Sequence, residues 1–309
     1  MAALQHSRAP IIFVLEPFGG SIRRNNPNLP FIFWDDAAVT RGDGVFETLL
    51  VHRGRPVNFE LHARRFVASS RALDLPASDL DYWRRALDEA CQAWVAERGE
   101  DCDARCVCTL TRGRAATGRP SAWLVLSDVG EPTLTARARG VTVMTTPRAQ
   151  VPAAHPPAWA PGAAKTLNYA ENMAALRYAR DHGCDDALFI DPAHAHPERG
   201  PRVLEAATAG LILAKQRHRL RAPRAGQESL TSTTQQALFA HAEAAGWRVK
   251  QRDIYLRDLR KADSVWLVSS VRGATRVLAI DGKVLEPGPE TEEVRALAGE
   301  ALLGESVAG

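Results

Sequence analysis

The stretch between Pro161 and Glu205 constrains this chain more than any other, because it sets an order of elements and two charged residues within that order. It reads PGAAKTLNYAENMAALRYARDHGCDDALFID, then a polar loop, then RVLEAATAGLIL. The apolar spacing of the first part predicts a helix from about Thr166 to His182, closed by Gly183, a residue suited to a helix C-terminus. ALFID and VLEAATAGLILAK read as strands on either side of the loop DPAHAHPERGP. Lys165 stands directly before the helix, and the Pro, Gly and Ala in front of it leave its amine poorly solvated. An amine in such surroundings is a better nucleophile toward a carbonyl. Glu205 lies mid-strand between Val203, Leu204 and Leu211, where an unpaired buried carboxylate costs on the order of several kcal/mol.

A glutamate so placed needs a cationic partner. A protonated pyridine nitrogen would serve, and a Schiff-base lysine with an acidic partner for the ring nitrogen is how proteins hold pyridoxal phosphate. Solvated surfaces also carry lysines at helix starts and glutamates near strands, so the two residues alone leave both readings open. KTLNYAEN, followed one helix and one strand later by VLEAATAG, resembles the lysine and glutamate segments of fold-type IV pyridoxal-phosphate enzymes. That family includes branched-chain and D-amino-acid aminotransferases and 4-amino-4-deoxychorismate lyase.

At 309 residues the chain has the length of two domains of about 150 residues each. Its 39 basic and 36 acidic residues leave a net charge of +3, which makes no case for nucleic-acid or membrane affinity. The apolar run from Ile11 to Leu15 is cut off by Glu16, Pro17 and two glycines, well short of a signal-peptide core. Nothing approaches the roughly 20 apolar residues of a membrane span. A cytoplasmic protein is expected, and five cysteines, an odd number, fit a reducing compartment. Cys106 and Cys108 alternate along an apolar strand pattern with Cys102 nearby; they read as packed thiols, and no metal site is expected.

Taken in order, the Asn25, Asn26, Pro27 and Pro30 cluster reads as turn. FIFWDDAAVTRGDGVFETLLVHRGRPVNFELHARRF predicts two strands around Arg53-Gly54-Arg55, then a helix from Leu61 that stops at Leu75-Pro76. A second helix runs from about Asp79 to Arg98, with Leu80, Trp83, Leu87, Cys91 and Trp94 at three- and four-residue spacing. ARCVCTLTRG and SAWLVLSDV read as strands, and the diluted run GEPTLTARARG marks a domain boundary near 130 to 139. The expected domains are therefore 1–135, a small α/β domain, and 136–309, a larger one. The second opens with strand GVTVMTTP and the proline-rich approach VPAAHPPAWAPG to Lys165. The histidines near DPAHAHPERGP, with His182 upstream, read as a solvated turn. Further on, ESLTSTTQQALFAHAEAAGW predicts a hydroxyl-capped helix, whose exposed amides make a ready phosphate site. SVWLVSSVRGATRVLAIDGKVL gives a strand, a turn at Ser269 to Gly273 and a hairpin at Asp281-Gly282; a peripheral amphipathic helix from about Glu290 to Leu303 closes the chain.

The resemblance extends from about Asp35 to Leu285 and implies a fold of two α/β domains, D-amino-acid aminotransferase-like, with pyridoxal 5'-phosphate between them, usually in a homodimer. HARRF is similar to the family's His-x-x-Arg-Leu segment, which implies Arg65 as a phosphate ligand; a planar guanidinium can bind phosphate bidentately. STTQ occupies the place of the family's Gly-Ile-Thr-Arg or Gly-Thr-Thr-Gln turn, implying phosphate contacts from Thr233 and Thr234. Ser232 replaces the expected glycine, and a positive φ there would strain it. SSVRG implies Ser270 on the phosphate, and the interval from Lys165 to Glu205 is longer than usual. Within the family, RGDGVFETLL, KTLNYAENMAALRYA, TTQQALF and WLVSSVRGATRVLAIDG most resemble actinobacterial aminodeoxychorismate lyases. That implies a lyase releasing pyruvate and 4-aminobenzoate on the way to folate, with a small-molecule substrate. Arg105, on ARCVC, is a candidate anchor for a substrate carboxylate, a structural ion pair being the alternative. An aminotransferase shares every cofactor residue, and a non-catalytic binding protein that kept the fold is a remoter reading.

Overall fold

The computed structural model describes residues 8–16, 20–76, 79–149, 159–224 and 229–303. The chain divides into two compact units, Met1–Gly130 with Ala164–Asn168, and Glu131–Ala163 with Tyr169–Gly309. A single cut at 135/136 would put the lysine segment in the second unit; it folds with the first.

The first unit contains β1 (Ile11–Leu15), β2 (Ile22–Asn25), a short helix α1 (Ala37–Arg41), β3 (Gly44–His52), β4 (Arg55–Pro56), α2 (Phe59–Ala72), α3 (Leu80–Arg98), β5 (Ala104–Thr111) and β6 (Ser121–Asp128). The strands pair antiparallel in the order β2-β1-β6-β5-β3-β4. The β3–β4 turn has Arg53 and Gly54 at φ 49 and 68, the left-handed pair that a two-residue hairpin loop requires. Asp79 caps α3 by accepting from the amides of Asp81 and Tyr82. The three- and four-residue spacing then turns Trp83, Leu87, Cys91 and Trp94 onto Leu49, Cys106, Leu124 and Leu126 of the sheet. Each large side chain buried this way contributes about 1.5–3 kcal/mol. Cys106 and Cys108 are packed thiols, their Sγ atoms 3.9 Å apart, and burial pushes the Cys91 thiol up to about 12. No group of His, Cys, Asp and Glu among the described residues could hold a metal ion.

The second unit contains α4 (Glu131–Arg139), β7 (Val141–Pro147), α5 (Ala170–Asp181), β8 (Asp186–His196), β9 (Gly200–Ala206), β10 (Gly210–Lys215), β11 (Arg219–Ala222), α6 (Thr233–Ala244), β12 (Arg248–Gln251), β13 (Ile254–Tyr255), α7 (Leu256–Arg260), β14 (Ser264–Ser269), β15 (Gly273–Ile280), β16 (Lys283–Val284) and α8 (Thr291–Leu303). Its sheet runs β12-β11-β10-β14-β15-β7-β8-β9-β13, with β16 on β15. β7 lies parallel to both β15 and β8, as β11 does to β12, and the other pairings are antiparallel. The architecture is α/β in both units. No helix among the described residues is long and apolar enough to cross a membrane.

Several elements depart from the sequence reading, α1 among them. The diluted run after Gly130 is a helix, α4, which buries only Ala136 and so shows little apolar periodicity. The expected helix from Thr166 begins at Ala170, because the backbone before it is used elsewhere, as described below. DPAHAHPERGP is solvated as expected but forms a hairpin rather than a loop: β8 continues through His196 and returns as β9. Pro192 is accommodated by a register irregularity between Asp191 and His196, and Asp191 pins the extension by accepting from His194 and Arg202, both at 2.6 Å. Finally, α8 is no peripheral helix, since Val294, Leu297 and Ala298 are buried in one cluster with Trp266 and Leu238. In the proline-rich approach to Lys165, residues 151–158 lie outside the described residues.

Candidate active site

In the first unit the lysine segment lies against the start of β3. The Phe46 amide donates to the Lys165 carbonyl at 3.1 Å, the Leu167 amide donates to the Gly44 carbonyl at 2.9 Å, and Val45 bridges Thr166. Gly44 permits this approach: a Cβ there would stand 2.8 Å from both the Leu110 carbonyl oxygen and Leu167 Cδ1. The Lys165 amide donates to Ser69 Oγ at 3.0 Å, so the backbone on both sides of the side chain is fixed. Lys165 is buried, 9% exposed, with Nζ 4.2 Å from the centre of the Phe46 ring. The amine is thus held against an aromatic face rather than in bulk water.

Arg65 sits one helical turn before Ser69, on the same face of α2. Its Nε and Nη2 donate to Glu47 Oε1 and Oε2 at 2.6 and 2.7 Å, and Glu47 Oε2 also meets His62 Nδ1 at 2.7 Å. Burial alone would raise the Glu47 carboxyl, but the Arg65 and His62 contacts overcome it and hold it down to about 2. Burial pushes His62 below its ordinary value against the pull of Glu47, with the positive charges of Arg65 and Lys165 acting the same way. Neutral His62 therefore donates Nδ1–H to an ionised Glu47, and Arg65 is held by a two-pronged ion pair. Sequence reasoning missed Glu47 and His62. Glu47 stands in RGDGVFETLL and His62 in HARRF, so both signals were present without a reason to connect them.

In the second unit Glu205 is on β9, mostly buried, and has partners in place. Arg148 Nη1 donates to Oε1 at 3.0 Å and the Leu230 amide donates to Oε2 at 3.1 Å. The cation demanded by a carboxylate in an apolar strand is thus supplied in part by Arg148, which the sequence reading did not single out. Leu230 leads into α6, where Ser232 is the N-cap at φ −71, its hydroxyl accepting from the Gln235 amide at 3.2 Å. The serine is unstrained in place of the expected glycine, because this cap uses extended backbone. Thr233 and Thr234 are buried in the first turn of α6, where amides have no acceptor within the helix. Gly210 faces Val268 across the sheet, and a Cβ on it would be 3.2 Å from the Ser232 Cβ, so the start of α6 lies beside the end of β14. Ser270 follows directly in the β14–β15 turn.

The second unit therefore brings Glu205, Thr233, Thr234 and Ser270 into one corner, and the first brings Lys165 and Arg65 together. Arg105 is not brought to the lysine. It is exposed on β5, four residues from Thr109, the partner of Phe46, which is ~13 Å along the strand, and it makes no ion pair among the described residues.

Pyridoxal phosphate calls for an amine at its carbonyl, cationic and N–H or O–H donors at its phosphate and an acceptor carboxylate at its ring nitrogen; the first unit holds a buried primary amine and a guanidinium, and the second a helix N-terminus with flanking hydroxyls and a strand carboxylate. Each unit taken by itself thus offers groups suited to this cofactor, and the class they point to is that of the fold-type IV pyridoxal-phosphate enzymes. The family model described as amino-transferase class IV matches residues 44–280. The chain is 37% identical over 281 residues to the bifunctional aminodeoxychorismate lyase / D-amino acid transaminase of Mycobacterium tuberculosis, covering 90% of this chain and 96% of that protein. It is 26% identical over 266 residues to a D-alanine aminotransferase of Listeria monocytogenes, covering 82% of this chain and 84% of that protein. The solved PLP-bound form of a hypothetical aminotransferase from Mycobacterium tuberculosis superposes with a TM-score of 0.86 at 35% identity, covering 95% of this chain and 99% of that one. The chain belongs to the amino-transferase class IV family, and pyridoxal phosphate is its cofactor.

Proposed function

We propose that the protein is a 4-amino-4-deoxychorismate lyase, splitting its substrate into 4-aminobenzoate and pyruvate. The observation that carries the reading is the identity with the mycobacterial protein, along nearly its whole length, whose name gives lyase activity first. Pyridoxal phosphate, when bound, supplies a carbonyl for the substrate amine and a ring that withdraws electrons from the carbon losing its proton. Lys165 anchors the cofactor in the resting enzyme. With the cofactor present, the Lys165 amine, when not engaged in anchoring it, would remove the proton from the amine-bearing carbon of the substrate. Glu205, oriented by Arg148 and the Leu230 amide, holds a proton on the ring nitrogen. Thr233, Thr234, Ser270 and Arg65 bind the phosphate, with Glu47 fixing the guanidinium of Arg65. Loss of enolpyruvate from the neighbouring carbon leaves an aromatic ring, so the step is strongly downhill and needs no further reactant. Arg105 remains a candidate substrate anchor only if the substrate reaches along β5.

The second reading, a D-amino-acid transaminase, draws on the other half of the same relative's name and on the Listeria protein. A binding protein without catalysis has lost its support, since Ser232 is unstrained and the long interval is an ordered hairpin. We read the protein as a cytoplasmic homodimer: its five cysteines are all free thiols, and Trp34 and Phe33 are exposed on the first unit. The two activities are separated by comparing rates. Amino exchange between D-alanine and 2-oxoglutarate is expected to be slow relative to elimination from aminodeoxychorismate. Fast exchange with no elimination would reverse the choice.

A further inference from the structure

The turn that carries Ser270 is held by two arginines that the reading above does not use. Ser270, Val271 and Arg272 form the loop between β14 and β15, closed by Gly273 at φ 72. From α4, Arg137 Nε donates to the Val271 carbonyl oxygen at 3.0 Å, and its Nη2 donates to the same atom. Arg272 reaches the first residue of β8, where its Nη1 and Nη2 both donate to Asp186 Oδ2 at 2.9 Å. Asp186 is fully buried, and its Oδ1 accepts from the Ala187 amide at 2.9 Å, so the anchor itself cannot swing. The two residues that follow Ser270 are thus tied to two different elements, one through its carbonyl and one through its side chain. Hairpin loops are ordinarily among the more mobile parts of a fold, and charge-assisted contacts of this kind are the strong ones.

We infer that Arg137 and the Arg272–Asp186 pair are positioning residues that keep the Ser270 hydroxyl where it meets the cofactor's phosphate. The inference rests on the assignment of Ser270 to the phosphate. A clamp that merely stiffened the hairpin would affect binding of the cofactor with or without its phosphate; a clamp that positions Ser270 affects the phosphorylated form alone.

The test uses cofactor-stripped wild type, Arg137→Ala, Arg137→Lys, Asp186→Asn and Ser270→Ala, each titrated with pyridoxal phosphate and with pyridoxal while absorbance is followed. Arg137→Ala and Asp186→Asn are expected to weaken pyridoxal phosphate about tenfold, the scale of one charge-assisted contact, and to leave pyridoxal affinity unchanged. Arg137→Lys keeps one donor and recovers part of the loss; it also carries the comparison if the alanine variant does not fold. Equal weakening of both ligands, or of neither, overturns the inference. Selective loss in Ser270→Ala with none in Arg137→Ala and Asp186→Asn overturns the clamp alone, whereas no selective loss in Ser270→Ala removes the Ser270 assignment and the clamp with it.

Discussion

Glu47 is the most strongly perturbed carboxylate in the first unit, and it decides how that unit meets acid. Its carboxyl is held to about 2 from an ordinary 4.5, so its contribution to stability is complete above 4.5 and is lost as pH falls from there toward 2. His62 is shifted below its ordinary 6.5 and must bind a proton on unfolding, so it begins to subtract stability as pH falls through 6.5. Both effects have the same sign. Urea midpoints should therefore hold from pH 8 to about 6.5, decline below it through His62 and decline further from 4.5 toward 2 through Glu47, and Glu47→Gln should lose roughly 3 kcal/mol at pH 7 and flatten the limb below 4.5. A variant as stable as the parent, with an unchanged profile, would show the network to be incidental. Lys165 is tested by chemistry: borohydride reduction should fix the cofactor on Lys165, and Lys165→Ala should lose turnover. A label on another lysine would contradict the assignment. Glu205→Gln should keep the cofactor and lose roughly a hundredfold in elimination, the scale of removing one electrostatic stabiliser; equal rates would make Glu205 structural. Lys165 and Glu205 stand out in the sequence because each lies in a distinctive string. Glu47 and Arg148 do not, because their meaning lies in partners 18 and 57 residues away.

Among the elements, α6 carries the sharpest prediction. Ser232 closes its first turn through the Gln235 amide, so Ser232→Ala should cost about 1 kcal/mol while Ser232→Gly costs only a few tenths, read from urea midpoints. A glycine variant as damaged as the alanine one would mean that the hydroxyl does something besides capping. The long helix α3 was legible because its apolar spacing matches its buried face over 19 residues. α1, with five residues, and α4, with one buried side chain, gave too little pattern to separate helix from linker. The start of α5 was misplaced for a different reason. Thr166 and Leu167 run straight into the apolar spacing of the helix, but the backbone from Lys165 to Leu167 pairs with β3, and a local pattern carries no record of a distant strand.

At the scale of the whole molecule, the sequence indicated two α/β bodies but not that the chain returns to the first one for five residues, taking Lys165 with it. A boundary read from composition locates where apolar content thins, whereas membership of a compact unit is settled by which backbone groups find partners. The family follows from the match over residues 44–280, and the cofactor from that family and from the likeness to a PLP-bound structure. What separates a lyase from a transaminase is whether turnover consumes an acceptor. A lyase returns to its starting state after every elimination, while a transaminase stalls after one half-reaction until a keto acid arrives. The most direct measurement is therefore the yield of pyruvate and of 4-aminobenzoate from aminodeoxychorismate with no keto acid added. The account predicts equal amounts of the two, accumulating over many turnovers per active site; less than one equivalent per site, with turnover restored only by added keto acid, would contradict it.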